Sequence, residues 1–167
     1  MTVSQAQFEQ TVEKITVNPV TAFAFISTPT ATTITLADTY YFFASTFTNQ
    51  ITSNVSGGTY GIQVDKDCRV EIEFETHGVA TATGEVFTAI AKNPAFVGGE
   101  MTAGTILDGS MGAYEADTAG TTAGSGACHS MWAGDLLSGD EIVLVIQSSV
   151  PNSFTPHSGA TTLHQIF

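Results

Sequence analysis

An all-β, antiparallel sandwich is the fold the sequence predicts, and three observations predict it. After residue 20, apolar and polar residues alternate with a period of two over most of the chain. The alternating runs are rich in Thr, Val, Ile, Phe and Tyr, and clusters of Gly, Asn, Asp, Pro and Ser separate them. One stretch alone, residues 4–16, carries the 3.6-residue spacing of a helix.

Composition bounds the rest. The chain has 167 residues, the length of one domain. Sixteen Asp and Glu stand against four Lys and Arg, a net charge of -12. Charged residues make up 12%, about half the usual share, and Thr, Ser and Gly take their place. Four scattered cations cannot form the basic stripe that neutralises phosphates, so nucleic acid is not an expected partner. Eleven Phe argue against disorder. No run approaches the roughly 20 apolar residues of a membrane-spanning helix. Glu9 and Glu13 stand where a secretory leader needs a basic and then an apolar region. Synthesis in the cytoplasm without a signal peptide is therefore expected, which favours two thiols at Cys68 and Cys128 over the one disulfide they could form.

The elements follow in order. Ser4 can cap a helix whose Phe8, Val12 and Ile15 share one face, and Asn18-Pro19 ends it. A helix of about 13 residues is marginal alone in water, so residues 1–20 read as an arm that orders by docking, on its own domain or on a partner. Strands are expected at 21–27, 32–36, 39–47, 59–64, 69–75, 85–91, 128–133, 141–147 and 161–167. Turn residues punctuate them at Asn49, Gly57-Gly58, Asp65-Lys66-Asp67, Asn93-Pro94, Gly139-Asp140 and Pro151-Asn152. In the run 69–75, Val70, Ile72 and Phe74 face one way while Glu71, Glu73 and Glu75 face the other. Ile142 to Ile146 is continuously apolar, which predicts a strand covered on both faces. Residues 98–126 are rich in Gly, Ala and Thr and read as a long insertion, with weak strand signals at Met101–Leu107 and Ala113–Glu115.

Several of these segments together resemble the TNF/complement-head jelly-roll family, especially the versions in tailed-phage virion proteins. The matching pieces are the extended FTNQITSNVSGGTYGIQV, the strand DCRVEIEFE, the segment EVFTAIAKNPAFV, and LLSGDEIVLVIQ followed by a closing apolar strand. The match covers about residues 30–167, and its most specific part is Leu136-Leu137-Ser138-Gly139-Asp140 leading into the apolar strand. Pro94 departs from the family's Lys-Asn-Gly turn, and the 98–126 stretch is longer and richer in Gly than usual. The resemblance implies a jelly roll of about 8–10 strands spanning 21–167, assembled as a homotrimer through aromatic-rich sheet faces. Tyr40, Tyr41, Phe42, Phe43 and Phe167 are the candidates for that interface, the alternative for each being the protomer's own core.

Catalytic signals are weak. Gly109-Ser110-Met111-Gly112 lacks the spacing of a nucleophile elbow, and neither a phosphate loop nor a dinucleotide fingerprint is present. His77, His129, His157 and His164 show no metal-ligand spacing, and on a strand Cys128 and His129 point to opposite faces. Asp65, Asp67, Glu71 and Glu73 could supply hard oxygen ligands to Ca²⁺; the same row could be a solvated face or a salt-bridged interface. No enzyme activity and no cofactor are expected.

The expected function follows from the resemblance and from size. About 20 residues precede the first strand, which leaves no room for a fibre shaft. The reading is a phage virion structural protein, a trimeric decoration or cement protein on the capsid exterior. Its expected partners are copies of itself and the major capsid protein, gripped by an arm carrying Phe8, Val12 and Ile15. The alternative is a receptor- or glycan-binding fibre-tip module, with Trp132 or Tyr114 as a stacking platform.

Overall fold

The computed structural model describes residues 19–116 and 124–166, which form a two-sheet antiparallel jelly roll. Thirteen strands fall within them. The first six are β1 (Thr21–Thr28), β2 (Thr32–Ile34), β3 (Tyr41–Phe42), β4 (Thr46–Ser53), β5 (Val55–Gly57) and β6 (Ile62–Val64). The long ones follow: β7 (Cys68–Ala80), β8 (Gly84–Val97), β9 (Glu100–Ile106) and β10 (Gly112–Ala116). Last come β11 (Gly124–Leu136), β12 (Glu141–Ser148) and β13 (Asn152–Gln165). The first sheet runs β11-β7-β13-β1-β4, with β2 also paired to β13. The second runs β10-β8-β9-β3-β12-β6-β5, with β8 also paired directly to β12. The helix expected over 4–16, with Phe8, Val12 and Ile15, lies outside the described residues, as does Phe167.

Four expectations need correction, the simplest being the turn at Asn49, which instead lies inside β4, paired with Ala24 of β1. The run 39–47 is not one strand. Its first half is β3 of the second sheet, and its second half opens β4 of the first. Side chains satisfy the crossing between them: Ala44 N–H donates to Thr32 Oγ1 (2.9 Å), and Ser45 Oγ accepts from Thr30 N–H (3.0 Å). The stretch 98–126 is not a loop-like insertion, because β9, β10 and the start of β11 occupy most of it. Its glycines make the hairpin instead: Gly98 and Gly99, both at positive φ, form the two-residue turn between paired Val97 and Glu100. Asn93-Pro94 is likewise no turn. It is a bulge inside β8, where pairing with β9 jumps from Lys92–Thr105 to Ala95–Ala103. Gly104 faces that bulge, and a Cβ there would stand 2.6 Å from Pro94 Cα.

The apolar residues bury in three groups. One inter-sheet cluster holds Val20, Val70, Ile72, Ile90, Leu136, Ile142 and Leu163. A second holds Ile34, Tyr41, Phe43, Phe74, Val86, Ile146 and Phe154. The third is small and lies on the outer side of the second sheet: Ala89, Ala91 and Val145 under Tyr40, Phe96, Met101 and Ile106. This layer explains why 142–146 is apolar throughout, since Ile142 and Ile146 face inward while Val145 is covered from outside.

One polar pair ties the sheets together inside the core. Thr88 of β8 and Ser130 of β11 share a hydrogen bond of 2.7 Å, and both are fully buried. Ser130→Ala leaves the Thr88 hydroxyl unsatisfied and is expected to cost about 1–3 kcal/mol in denaturant unfolding. Adding Thr88→Val should return part of that loss, because removing both partners of a buried bond is less costly than removing one. A double variant as unstable as the sum of the singles would show that the pair is not coupled.

Candidate interaction surfaces

Three features could carry function: the outer face of each sheet, and a cavity between the sheets. The cavity measures about 550 Å³ and lies where the two inter-sheet clusters fail to meet, beside edge strands β4 and β5. Ile72, Ile90 and Leu163 of one cluster and Phe43 and Phe74 of the other line it, with the small Ala22 and Ala24 on one wall. Among the described residues its walls carry no carboxylate, imidazole, thiol or amine; their polar side chains are hydroxyls, Ser45, Ser56 and Tyr60 among them, and the Asn49 amide.

The outer face of the second sheet is aromatic. Alternation sends Tyr41 and Phe43 inward, where they are 3% and 1% exposed. Of the two places open to them, trimer interface or protomer core, they take the core. Covered by their own chain, they add nothing to a contact between copies. Tyr40 and Phe42 take the outward side. Phe42 packs with Phe96 (centroids 5.4 Å apart) and Tyr60 (5.9 Å), and Tyr60 meets Phe96 at 4.9 Å. Phe42–Phe96 and Tyr60–Phe96 are edge-to-face contacts at 63° and 72°, and Phe42–Tyr60 is tilted at 59°. Val97 beside them, at the β8–β9 turn, is 71% exposed. Tyr40 Oη donates to Met111 Sδ (3.6 Å), and burial raises the Tyr40 phenol above its ordinary pKa.

The outer face of the first sheet is ionic. The β7 ladders place Ala133, Glu71, His164 and Thr21 in one row across β11, β7, β13 and β1. Met131, Glu73, Thr162 and Phe23 form the next row, and His129, Glu75, Ala160 and Phe25 the third. His164 Nε2 lies 3.1 Å from Glu71 Oε2, and His77 Nε2 lies 2.8 Å from Glu75 Oε1. Arg69 and Asp135 pair at 3.7 Å at one end. Three of the four histidines thus gather on the face of the three glutamates; His157 sits exposed in the β13 bulge.

The four carboxylates considered for Ca²⁺ are not brought together. Asp65 accepts from Ser56 Oγ (2.8 Å) and Asp67 from Ser138 N–H (2.8 Å), both at the turn before β7. Glu71 and Glu73 lie on the outer sheet face. No group of three or more ligating side chains converges among the described residues. Trp132 points inward against the first cluster, with its ring over Gly134, where a Cβ would come within 2.3 Å. It offers no stacking platform. Tyr114 lies on β10 opposite Val86. Cys68 and Cys128 are buried in different clusters with no disulfide between them, and burial pushes the Cys68 thiol up.

No protein-family model matches the sequence, and no curated protein does either. Solved structures match by shape. The Eiger TNF of S. frugiperda superposes with a TM-score of 0.64 at 9% identity, over 90% of this chain and 94% of that one. Murine APRIL at pH 5.0 gives 0.54 at 10% identity, over 87% and 99%. The globular domain of the zebrafish complement 1qA protein gives 0.51 at 8% identity, over 89% and 98%. The chain therefore has the TNF/C1q-like jelly-roll fold. At these identities the likeness defines the fold, and function has to be argued from the surfaces.

Proposed function

We propose that this chain is a homotrimeric virion structural protein of a tailed phage, a decoration or cement protein that attaches to the outside of the capsid and stabilises it. The observation that carries the reading is the Phe42–Tyr60–Phe96 cluster, an aromatic patch drawn from three segments on the outer side of the second sheet, with exposed Val97 at the adjoining turn. Such a patch on a soluble β-domain marks a protein contact. In this reading its partner is the major capsid protein, and the stripe Phe8, Val12 and Ile15 adds an anchor. Stabilisation comes from buried interface area and needs no catalysed step. The family resemblance supports the trimer.

A glycan-binding fibre tip fits the patch less well. Sugar rings stack on flat, open aromatic faces, and these three rings are packed edge to face or tilted against one another. In purified virions carrying the protein, quantitative mass spectrometry is expected to count on the order of hundreds of copies per particle, as lattice attachment requires. A few dozen or fewer makes the fibre reading correct. Phe96→Asp combined with Val97→Asp is expected to weaken attachment to stripped capsids by at least about tenfold while the domain stays folded. Unchanged attachment removes the patch from the argument.

A further inference from the structure

We infer that the cavity between the sheets binds a small uncharged amphiphile, a molecule with a hydrocarbon body and one neutral hydrogen-bonding end, which enters between β4 and β5. The site stands apart from the capsid reading and holds with or without it. Its position follows from how the sandwich closes. On one side the edge strands β10 and β11 touch, and Gly112 lies so near the His129 backbone that a Cβ has no room there. On the other side β4 and β5 are the last strands of their sheets, and the space of about 550 Å³ opens between them.

The inner face of the first sheet makes this space and grades it. Across β11, β7, β13, β1 and β4, one inward row is Trp132, Ile72, Leu163, Ala22 and Thr52. The next is Ser130, Phe74, Thr161, Ala24 and Asn49. Both rows shrink to alanine on β1 and end in a polar, uncharged residue on β4. Ile90 faces them from the second sheet. Alanine at both of these core positions leaves volume that the chain does not fill itself. The interior is therefore hydrocarbon, and polar groups stand at the opening.

Size and lining fix the class of ligand. Small-molecule sites are usually pockets of roughly 300–1,000 Å³ that combine apolar walls with a few polar groups. An apolar cavity of about 150 Å³ takes one benzene, so this one has room for a hydrocarbon chain of about ten carbons. Ile72, Phe74, Ile90 and Leu163 offer no side-chain hydrogen bond, so the body that rests on them is apolar. The Thr52 hydroxyl and the Asn49 amide suit a hydroxyl, ester or amide end. Among the described residues the walls carry no charge, so an ionised end would lose its water without compensation. An anion would also meet a chain at -12. A peptide strand fits less well. β5 has three residues and β4 is bulged opposite Phe23 and Ala24, features that discourage strand addition.

Methyl NMR on the full chain, titrated with 1-decanol and with decanoate at pH 8, tests the site. 1-Decanol is expected to bind with a Kd of about 100 μM or tighter and to shift the methyl signals of Ile72, Ile90 and Leu163. Decanoate, equal in chain length but charged, should bind at least about tenfold more weakly. Ala24→Leu fills the space from β1 and should weaken 1-decanol binding at least about tenfold, with β-sheet circular dichroism retained. Ala22→Val, a smaller addition to the same wall, should weaken binding in the same direction and serves if the leucine variant does not fold. No shift at the three methyls overturns the inference, as does a response confined to Val97 and Met101 on the outer face. Decanoate binding as tightly as 1-decanol overturns it too, and so does undiminished binding in the filled variants.

Discussion

Phe74→Ala is expected to lower the unfolding free energy by about 3–5 kcal/mol, enough to remove a large part of the stability of a domain this size. Phe74 projects inward from β7 and is 2% exposed. Its ring meets Phe43 at 5.6 Å and Phe47 at 5.8 Å, both edge to face, and Phe43 in turn touches Phe154. Truncation therefore removes the ring's own burial and breaks an aromatic chain that links β7 to the β3–β4 crossing and to β13. The site also borders the inter-sheet cavity, so the new void joins an existing one and the walls have little means of closing over it. Urea unfolding followed through Trp132, the single tryptophan, measures the loss. Phe74→Leu should cost much less, about 1–1.5 kcal/mol. Equal losses for the two substitutions would mean that the aromatic contacts, and not the volume, carry the stability.

Asp140→Ala should be the most damaging polar substitution, at about 3 kcal/mol. Asp140 follows Gly139 (φ +92°) in the turn that launches β12. Its Oδ2 accepts the Leu137 N–H (2.9 Å), its Oδ1 accepts Asn93 Nδ2 (2.8 Å), and Lys92 Nζ lies 3.6 Å away. Asn93 Oδ1 accepts the Glu141 N–H in return (2.8 Å), so one carboxylate fastens the β11–β12 turn to the β8 bulge. Burial alone would raise this carboxyl. The Leu137 and Asn93 hydrogen bonds and the Lys92 ammonium outweigh it and hold Asp140 below the usual carboxylate range. The folded-state pKa is thus the lower one. The stabilisation is complete above the unfolded-state value near 4 and disappears as pH falls through the folded-state value. Wild type should lose stability between about pH 4 and 2 more steeply than Asp140→Asn, in denaturant melts at matched ionic strength. Parallel curves would assign acid sensitivity to other carboxylates.

Local chemistry made the strands legible. Glu71, Glu73 and Glu75 alternate with Val70, Ile72 and Phe74 within one run, and that period alone places the glutamates on the outer face. The Leu136–Asp140 turn was equally readable, because Gly and Asp have few other uses at the head of an apolar strand. What the sequence could not disclose was register. His129 and His164 join the glutamates only because β11 and β13 flank β7 in a particular alignment, and nothing near either histidine encodes it. The same holds for Phe42, Tyr60 and Phe96, which three separate segments bring together. The aromatic run 40–43 misled because its two halves of the alternation face opposite ways, so Tyr41 and Phe43 could not share a surface with Tyr40 and Phe42. Asn93-Pro94 has the composition of a turn, yet a bulge accommodates the proline while β8 continues.

Strand β13 lies in the middle of its sheet, hydrogen-bonded to β7 on one side and β1 on the other. It is also the last of the thirteen to leave the ribosome. Until it emerges, β1 and β7 have open edges facing an empty slot, and no earlier part of the chain supplies the missing ladder. Folding therefore waits for translation to pass residue 165, and the nascent chain spends that interval with adhesive edges on display. A ribosome that stalls or a protease that cuts before β13 leaves no half-sized folded product, because the chain has no half that is a domain.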